Sequence, residues 1–166
     1  MTDYFWQLGI DWNAVETGTP PESYLRGCLV SPGGEPLPGT ERAQLGDTIT
    51  FKIFDVTPSG TAGVASIESL EILSTAAVKS QAEAQIHHGL GLEPSQPTPL
   101  VITQFDESSE TSSAFGPARA SWTAQKVYVA VTEGRFLLTP QVLATGDNVT
   151  RLFSMDPEMV VGSNGT

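Results

Sequence analysis

The sequence has few side chains of the kinds that carry catalysis or bind metals. Its two histidines, His87 and His88, are adjacent. Adjacent side chains point in different directions on a helix or a strand, so the pair is poorly placed to hold one ion. Glu83 lies one helical turn before His87, and the two would supply two ligands if a third came from elsewhere. We expect an exposed helix end here, where histidine suits the negative end of the helix dipole, and no metal or cofactor.

Cys28 is the one cysteine, and it lies in the apolar run 27–30. A lone cysteine cannot form an internal disulfide, whereas small secreted domains usually contain several pairs. We therefore expect a cytoplasmic protein, with Cys28 acting as a small hydrophobic residue rather than a nucleophile.

No catalytic signature accompanies these residues. The sequence lacks a Gly-x-Ser-x-Gly elbow, a phosphate-binding glycine loop and a dinucleotide-binding glycine motif. This predicts that the protein is not an enzyme. The alternative is an enzyme of an unrecognised kind, for example one that uses a pair of carboxylates.

The stretch 106–113 is rich in acidic and hydroxyl side chains, but it lacks the Asp-x-Asp-x-Asp-Gly order of a calcium-binding loop. We predict a solvated loop, with weak cation binding or phosphorylation as the alternatives.

Three tryptophans form the other candidate site. Trp6, Trp12 and Trp122 lie on predicted strands or near their ends, and exposed rings would offer a platform for a carbohydrate. Tryptophans in a β-sandwich more often pack in the core, so exposure decides between the two interpretations.

The net charge and the lengths of the apolar runs exclude several classes of binding partner. The net charge is −11, from 19 acidic and 8 basic residues, which leaves no basic surface for nucleic acid or for an anionic membrane. No apolar run approaches the roughly 20 residues that a membrane-spanning helix needs. The N-terminal residues do not resemble a signal peptide.

A chain of 166 residues is expected to form a single domain over 1–166, with a loose tail at 162–166.

The elements that must position these residues are mostly strands. Residues 4–12 and 47–54 alternate apolar and polar side chains with a period of two, which is typical of strands with one buried face. Residues 64–73 favour a strand, and residues 100–105 form a predicted strand that is apolar on both faces. Glu133 and Gly134 predict a hairpin between the strand within 121–132 and the next strand.

Helix is expected at one place. Residues 76–86 contain alanine, lysine, glutamine and glutamate, which favour a helix. Seven to nine strands with frequent turns predict an all-β fold, an antiparallel β-sandwich with one or two short helices.

Two segments resemble a known family. The sequence Gly-Asp-Thr-Ile-Thr-Phe at 46–51 is similar to a strand of the AidA/PixA inclusion body protein family, and 151–161 is similar to its closing strand, with an aromatic residue before Asp-Pro and a β-branched run. The resemblance implies a bacterial, intracellular β-sandwich without known catalytic residues. Some family members accumulate as cytoplasmic inclusions.

Three classes of function follow from the sequence. The leading hypothesis is a self-associating protein of the inclusion-body type, present as a homodimer or larger homo-oligomer. A module that binds a carbohydrate or another small ligand is the second, and an unrecognised enzyme is the third. The apolar outer face of the strand at 100–105 favours the first, since it needs either the helix at 76–86 or a second copy to cover it.

Overall fold

The structure, a computed structural model, describes residues 2–12, 25–36, 46–76, 92–93, 100–130, 134–154 and 158–161. These ranges contain β-strands and no α-helix. The all-β fold that the alternating sequence pattern predicts is confirmed. The helix predicted at 76–86 lies outside the described residues except for Ala76, which is the last residue of a strand. Glu83, His87 and the tail 162–166 also lie outside them.

The larger sheet, sheet A, is built from strands that lie between residues 3 and 130. Its main strand order is β2-β1-β3-β10-β7, and β11 pairs with both β3 and β5. The strands are β1 (Asp3–Ile10), β2 (Leu25–Val30), β3 (Thr48–Asp55), β5 (Leu92–Glu93), β7 (Phe105–Ser108), β10 (Ala120–Ala124) and β11 (Tyr128–Ala130).

The second sheet, sheet B, has the order β13-β12-β4-β6, with β14 also paired to β12. Its strands are β4 (Ser66–Ala76), β6 (Leu100–Ile102), β12 (Gly134–Gly146), β13 (Val149–Ser154) and β14 (Glu158–Val161). A small hairpin of β8 (Ser112–Ser113) and β9 (Gly116–Pro117) forms a third sheet.

One hydrophobic core joins the inner faces of sheets A and B. The alternate residues Trp6, Leu8 and Ile10 of β1 face it from sheet A, and Leu70 and Ile72 of β4 belong to the same buried cluster from sheet B. Aromatic contacts add to the packing: the rings of Trp6 and Phe51 are 5.3 Å apart, and those of Trp12 and Phe153 are 5.6 Å apart. The two sheets therefore form a sandwich around a shared apolar interior.

The pairing of β1 and β3 is parallel, whereas every other described strand pair is antiparallel. Tyr4 lies beside Ile49, and the register continues to Ile10 beside Asp55. Alternation along a strand sets which face is buried and does not set the direction of a neighbour, so the sequence pattern could not indicate this parallel pair.

A buried carboxylate fixes the loop after β3. Asp55 is 1% exposed, and its side chain accepts hydrogen bonds from the backbone N–H of Thr57 at 3.0 Å and of Val64 at 2.9 Å. The Thr57 hydroxyl also donates to Asp55, and its oxygen accepts from the N–H of Trp12 at 2.9 Å. Asp55 thereby ties the loop 56–64 to the residues that follow β1.

Two expectations about strands are wrong in detail. The predicted strand at 100–105 is two strands, because β6 ends at Ile102 in sheet B and β7 begins at Phe105 in sheet A. Glu133 of the predicted hairpin lies outside the described residues, but the strands on either side are not hairpin partners, since β11 pairs within sheet A and β12 pairs within sheet B. Both errors occur where the chain passes from one sheet to the other, a step that leaves no periodic signal.

Candidate functional site

All three tryptophans lie in the core. Trp6 is 3% exposed, Trp12 is 1% exposed and Trp122 is 5% exposed. The Arg151 guanidinium stacks on Trp12, 4.5 Å from the ring centroid, and donates a hydrogen bond at 3.1 Å to its carbonyl oxygen. None of the three rings offers a sugar an open face, so their placement agrees with core packing and not with a binding platform.

Cys28 lies on β2 beside Gln7, on the outward face of sheet A. It is a free thiol of intermediate exposure. Burial raises the pKa of the Cys28 thiol above its ordinary value, because the thiolate loses hydration there. A raised pKa lowers the thiolate fraction at neutral pH, which is the opposite of what a nucleophile needs.

The acidic stretch 106–113 is partly ordered strand and not wholly a loop. Its first residues belong to β7, which pairs with β10, and its last two form β8. Asp106 accepts a hydrogen bond from the Gln125 side chain at 3.0 Å, and Glu110 forms an ion pair with Lys52. Within the described ranges, no three His, Cys, Asp or Glu side chains are grouped as a metal site.

The outward face of sheet A carries a second, smaller packed layer. Residues 109–118, which we call the cover segment, run across this face and include the β8–β9 hairpin. Phe115 of this segment lies so close to Gly9 that a Cβ there would be 2.7 Å from the ring. The cover segment also contacts the Gln7 side chain, whose Oε1 accepts a hydrogen bond from the backbone N–H of Ala114 at 2.9 Å.

A polar groove of about 440 Å³ opens between the cover segment and the turn that follows β2. Its floor is formed by side chains of β1, β2 and β3, and its walls by both loops: the lining residues are Phe5, Gln7, Val30, Ser31, Pro32, Gly34, Lys52, Glu110, Thr111, Ser112 and Ser113. This volume is within the range of small-molecule sites in proteins, which is roughly 300–1,000 Å³.

Lys52 provides the positive charge of the groove. Its side chain is 13% exposed, its ammonium lies 4.3 Å from the centroid of the Phe5 ring, and it contacts the Glu110 carboxylate at 2.7 Å. The ring and the carboxylate hold the ammonium over β1, beside Gln7. This end of the groove therefore holds an ammonium in contact with a carboxylate.

The outward face of sheet B has a different character. Val101 on β6 is 54% exposed and Leu152 on β13 is 56% exposed. Val101 pairs with Glu71, and Leu152 pairs with the partly buried Leu143, so these side chains project from the same side of the sheet. This face therefore presents two apolar side chains to solvent, one on each outer strand of the main strand order.

The fold thus defines a two-sheet β-sandwich with a polar groove on one outer face and exposed apolar side chains on the other. None of the described residues belongs to a helix long and apolar enough to span a membrane.

No protein-family model matches the sequence, and no curated protein matches it. Among solved structures, the chain is similar to an inclusion body protein, PixA, from Burkholderia cenocepacia J2315, with a TM-score of 0.41 and 10% sequence identity over 98% of this chain and 94% of that chain. This is the family that segments 46–51 and 151–161 resemble.

Sequence reasoning did not find the groove. The alternating pattern places Phe5, Gln7 and Lys52 on the outward faces of two strands, and nothing in that pattern shows that β1 and β3 are neighbours. The available signal was Gly9, because a glycine inside a strand often marks the close approach of another segment.

Proposed function

We propose that this chain is a non-enzymatic, cytoplasmic β-sandwich protein that associates with copies of itself through sheet B. The observation that carries the proposal is the pair of exposed apolar side chains, Val101 and Leu152, on the two outer strands of that sheet.

Strand β7 of sheet A is less suited to pairing with another copy than the outer strands in the main order of sheet B. Strand β7, at one end of the main order of sheet A, carries the exposed acidic residues Asp106 and Glu107, and such charges discourage another chain from pairing with an edge. Strands β6 and β13 of sheet B contain no acidic residue. An incoming copy therefore meets less electrostatic repulsion at β6 or β13 than at β7, and β2, the other outer strand of sheet A, also lacks acidic residues.

The net charge of −11 opposes association but does not prevent it. Repulsion between exposed charges is screened beyond about 8 Å at physiological salt. On the outward face of sheet B, the positions around Val101 and Leu152 are Ser69, Glu71, Gln141 and Leu143, of which one is charged. A standard interface buries about 800 Å² per partner, and an area of that size around these residues would be mainly uncharged.

The absence of catalysis is inferred from how the buried acids are used. Asp47 and Asp55 are the buried carboxylates among the described residues. Asp47 accepts a hydrogen bond from the backbone N–H of Thr2 at 2.8 Å, and Asp55 binds the loop 56–64. Both carboxylates therefore hold the backbone in place. Broad hydrolase screening tests this, and an activity lost on substitution of one Asp or Glu would contradict it.

The experiment on association measures mass against protein concentration. Sedimentation equilibrium of the wild type should give a mass above the monomer value of 17.6 kDa, rising with concentration and with salt. Val101→Lys and Leu152→Lys should each weaken association about tenfold or more, because each loses a burial of about 1.5–3 kcal/mol and places a charge in the interface.

Val127→Lys is the matched control, since Val127 is 50% exposed but lies between β10 and β11 of sheet A. It should associate as the wild type does. A wild-type mass of 17.6 kDa at every concentration and salt would refute the proposal, and so would equal weakening by Val127→Lys.

A further inference from the structure

Two hydrogen-bond donors lie side by side on the floor of the polar groove. Gln7 of β1 and Lys52 of β3 are direct partners in the parallel register, and both project from the outward face of sheet A. Adjacent strands are about 4.8 Å apart, so the two polar ends can approach one ligand group from neighbouring positions.

The orientation of the Gln7 amide follows from its partner. The backbone N–H of Ala114 can only donate, so the Gln7 atom that receives this bond is the oxygen Oε1. The NH₂ group is then the free end of the side chain, and no described residue accepts a hydrogen bond from it. Gln7 is 8% exposed and lines the groove, so its NH₂ group is a mostly buried donor without an acceptor among the described residues.

The neighbouring cation already binds a carboxylate. Glu110 reaches Lys52 from the rim of the groove, where its own side chain is 44% exposed. An ion pair with one exposed partner contributes little stability, so an incoming carboxylate can displace Glu110 at small cost. The Glu110 contact shows the chemistry that this end of the groove accepts.

We propose that the groove is a binding site for a small organic acid, whose carboxylate bridges the Lys52 ammonium and the Gln7 NH₂ group. Glu110 is its internal competitor. Two N–H donors side by side match the two oxygens of a carboxylate, and a charged donor strengthens the contact.

The rest of the groove suits a short, partly polar body. Phe5 and Pro32 provide apolar surface, and Ser31 and Thr111 provide hydroxyls. The side-chain oxygen Oγ of Ser31 accepts a hydrogen bond from the backbone N–H of Glu35 at 3.3 Å, which leaves the Ser31 O–H to donate to a ligand. This site lies on the outward face of sheet A, so it does not depend on association through sheet B.

The side-chain amide of Gln7 provides a direct readout. In ¹⁵N-labelled protein, its NH₂ signals are assigned as those that disappear in Gln7→Met. Succinate, titrated to about 50 mM at matched ionic strength, should shift these signals along a saturating curve. Sodium chloride alone and glucose should not shift them.

Two variants test the roles of the charged residues. Lys52→Gln should weaken succinate binding at least about tenfold, because it removes the charge that the carboxylate meets. Glu110→Gln should strengthen binding several-fold, because the competing carboxylate is gone, and this exposed position is expected to fold normally. Lys126→Gln, at an exposed lysine outside the groove, is the control and should bind as the wild type does.

Several outcomes would overturn the proposal. They are no Gln7 shift with succinate, an equal shift with glucose, or weaker binding in Glu110→Gln. A Gln7 shift that depends on protein concentration without added acid would assign the carboxylate to a second copy of the chain and would also overturn it.

Discussion

Replacing Asp55 with alanine removes the acceptor that holds the loop after β3. The backbone N–H groups of Thr57 and Val64 would both lose their partner, in a site where Asp55 itself is 1% exposed. Each buried donor without an acceptor costs about 1–3 kcal/mol, so the two together should lower the free energy of unfolding by about 2–6 kcal/mol. Since a typical domain has about 5–15 kcal/mol in total, this loss should be easy to measure.

The assay is urea unfolding at pH 7, followed by tryptophan fluorescence and by circular dichroism. All three tryptophans are buried, so their emission should report the loss of the core, and coincident transitions would support a two-state analysis. Asp55→Asn keeps one oxygen, so it should cost less than Asp55→Ala. Asp106→Ala removes an exposed carboxylate as a control and should change stability by no more than about 0.5 kcal/mol.

The result that would refute this reasoning is a loss below about 1 kcal/mol in Asp55→Ala, which would mean that the loop finds other acceptors. An equal loss in Asp106→Ala would show that the effect is one of charge and not of the buried hydrogen bonds.

Four further predictions follow. Asn148→Gly should raise the free energy of unfolding by up to about 1 kcal/mol in urea melts, because Asp147 and Asn148 have φ of 49° and 60° in the turn between β12 and β13, where glycine is unstrained. Gly9→Ala should lower it by about 1–3 kcal/mol, because the new methyl group meets the Phe115 ring, and Phe115→Ala in the same chain should restore part of the loss. Alkylation of Cys28 by iodoacetamide should be slower in the folded protein than in urea, because burial raises the pKa of the thiol. Since the folded state keeps the thiol proton to higher pH than the unfolded state, the free energy of unfolding should fall as pH rises above the ordinary thiol pKa, and Cys28→Ala should lack this pH dependence. Acrylamide should quench tryptophan fluorescence several-fold less in the folded protein than in urea, and strong quenching would contradict the buried positions of all three rings.

The sequence pattern predicts the strands better than it predicts their neighbours. Tyr4 to Trp12 and Ile49 to Ile53 alternate clearly. The second segment is strand throughout and the first is strand as far as Ile10, and their inner residues lie in the core. Burial acts on each residue separately, so it leaves a local signal. The choice of partner strand depends on residues far apart in sequence, which is why the parallel pairing of β1 and β3 was not predicted.

The same distinction explains what was missed at the candidate site. Trp6, Trp12 and Trp122 attract attention by residue type, yet they are core residues. Gln7 and Lys52 are ordinary outward positions of two strands, and their pairing becomes meaningful through the register and through the cover segment. Residues 106–113 looked like a solvated loop because they lack large apolar side chains, although β7 is held by backbone pairing with β10.

The position of β3 between β1 and β10 has a consequence for folding. Its Asp55 pairs with Ala120, and in sheet B Ala76 at the end of β4 pairs with Phe136. Neither sheet can be completed until most of the chain has left the ribosome, so the aromatic strand β1 is synthesised long before its full set of neighbours. Folds dominated by such distant pairings reach the native state over about milliseconds to seconds. During that interval the inner face of β1 is open to other nascent chains, so yield in the cell should depend on chaperones and on the rate of synthesis.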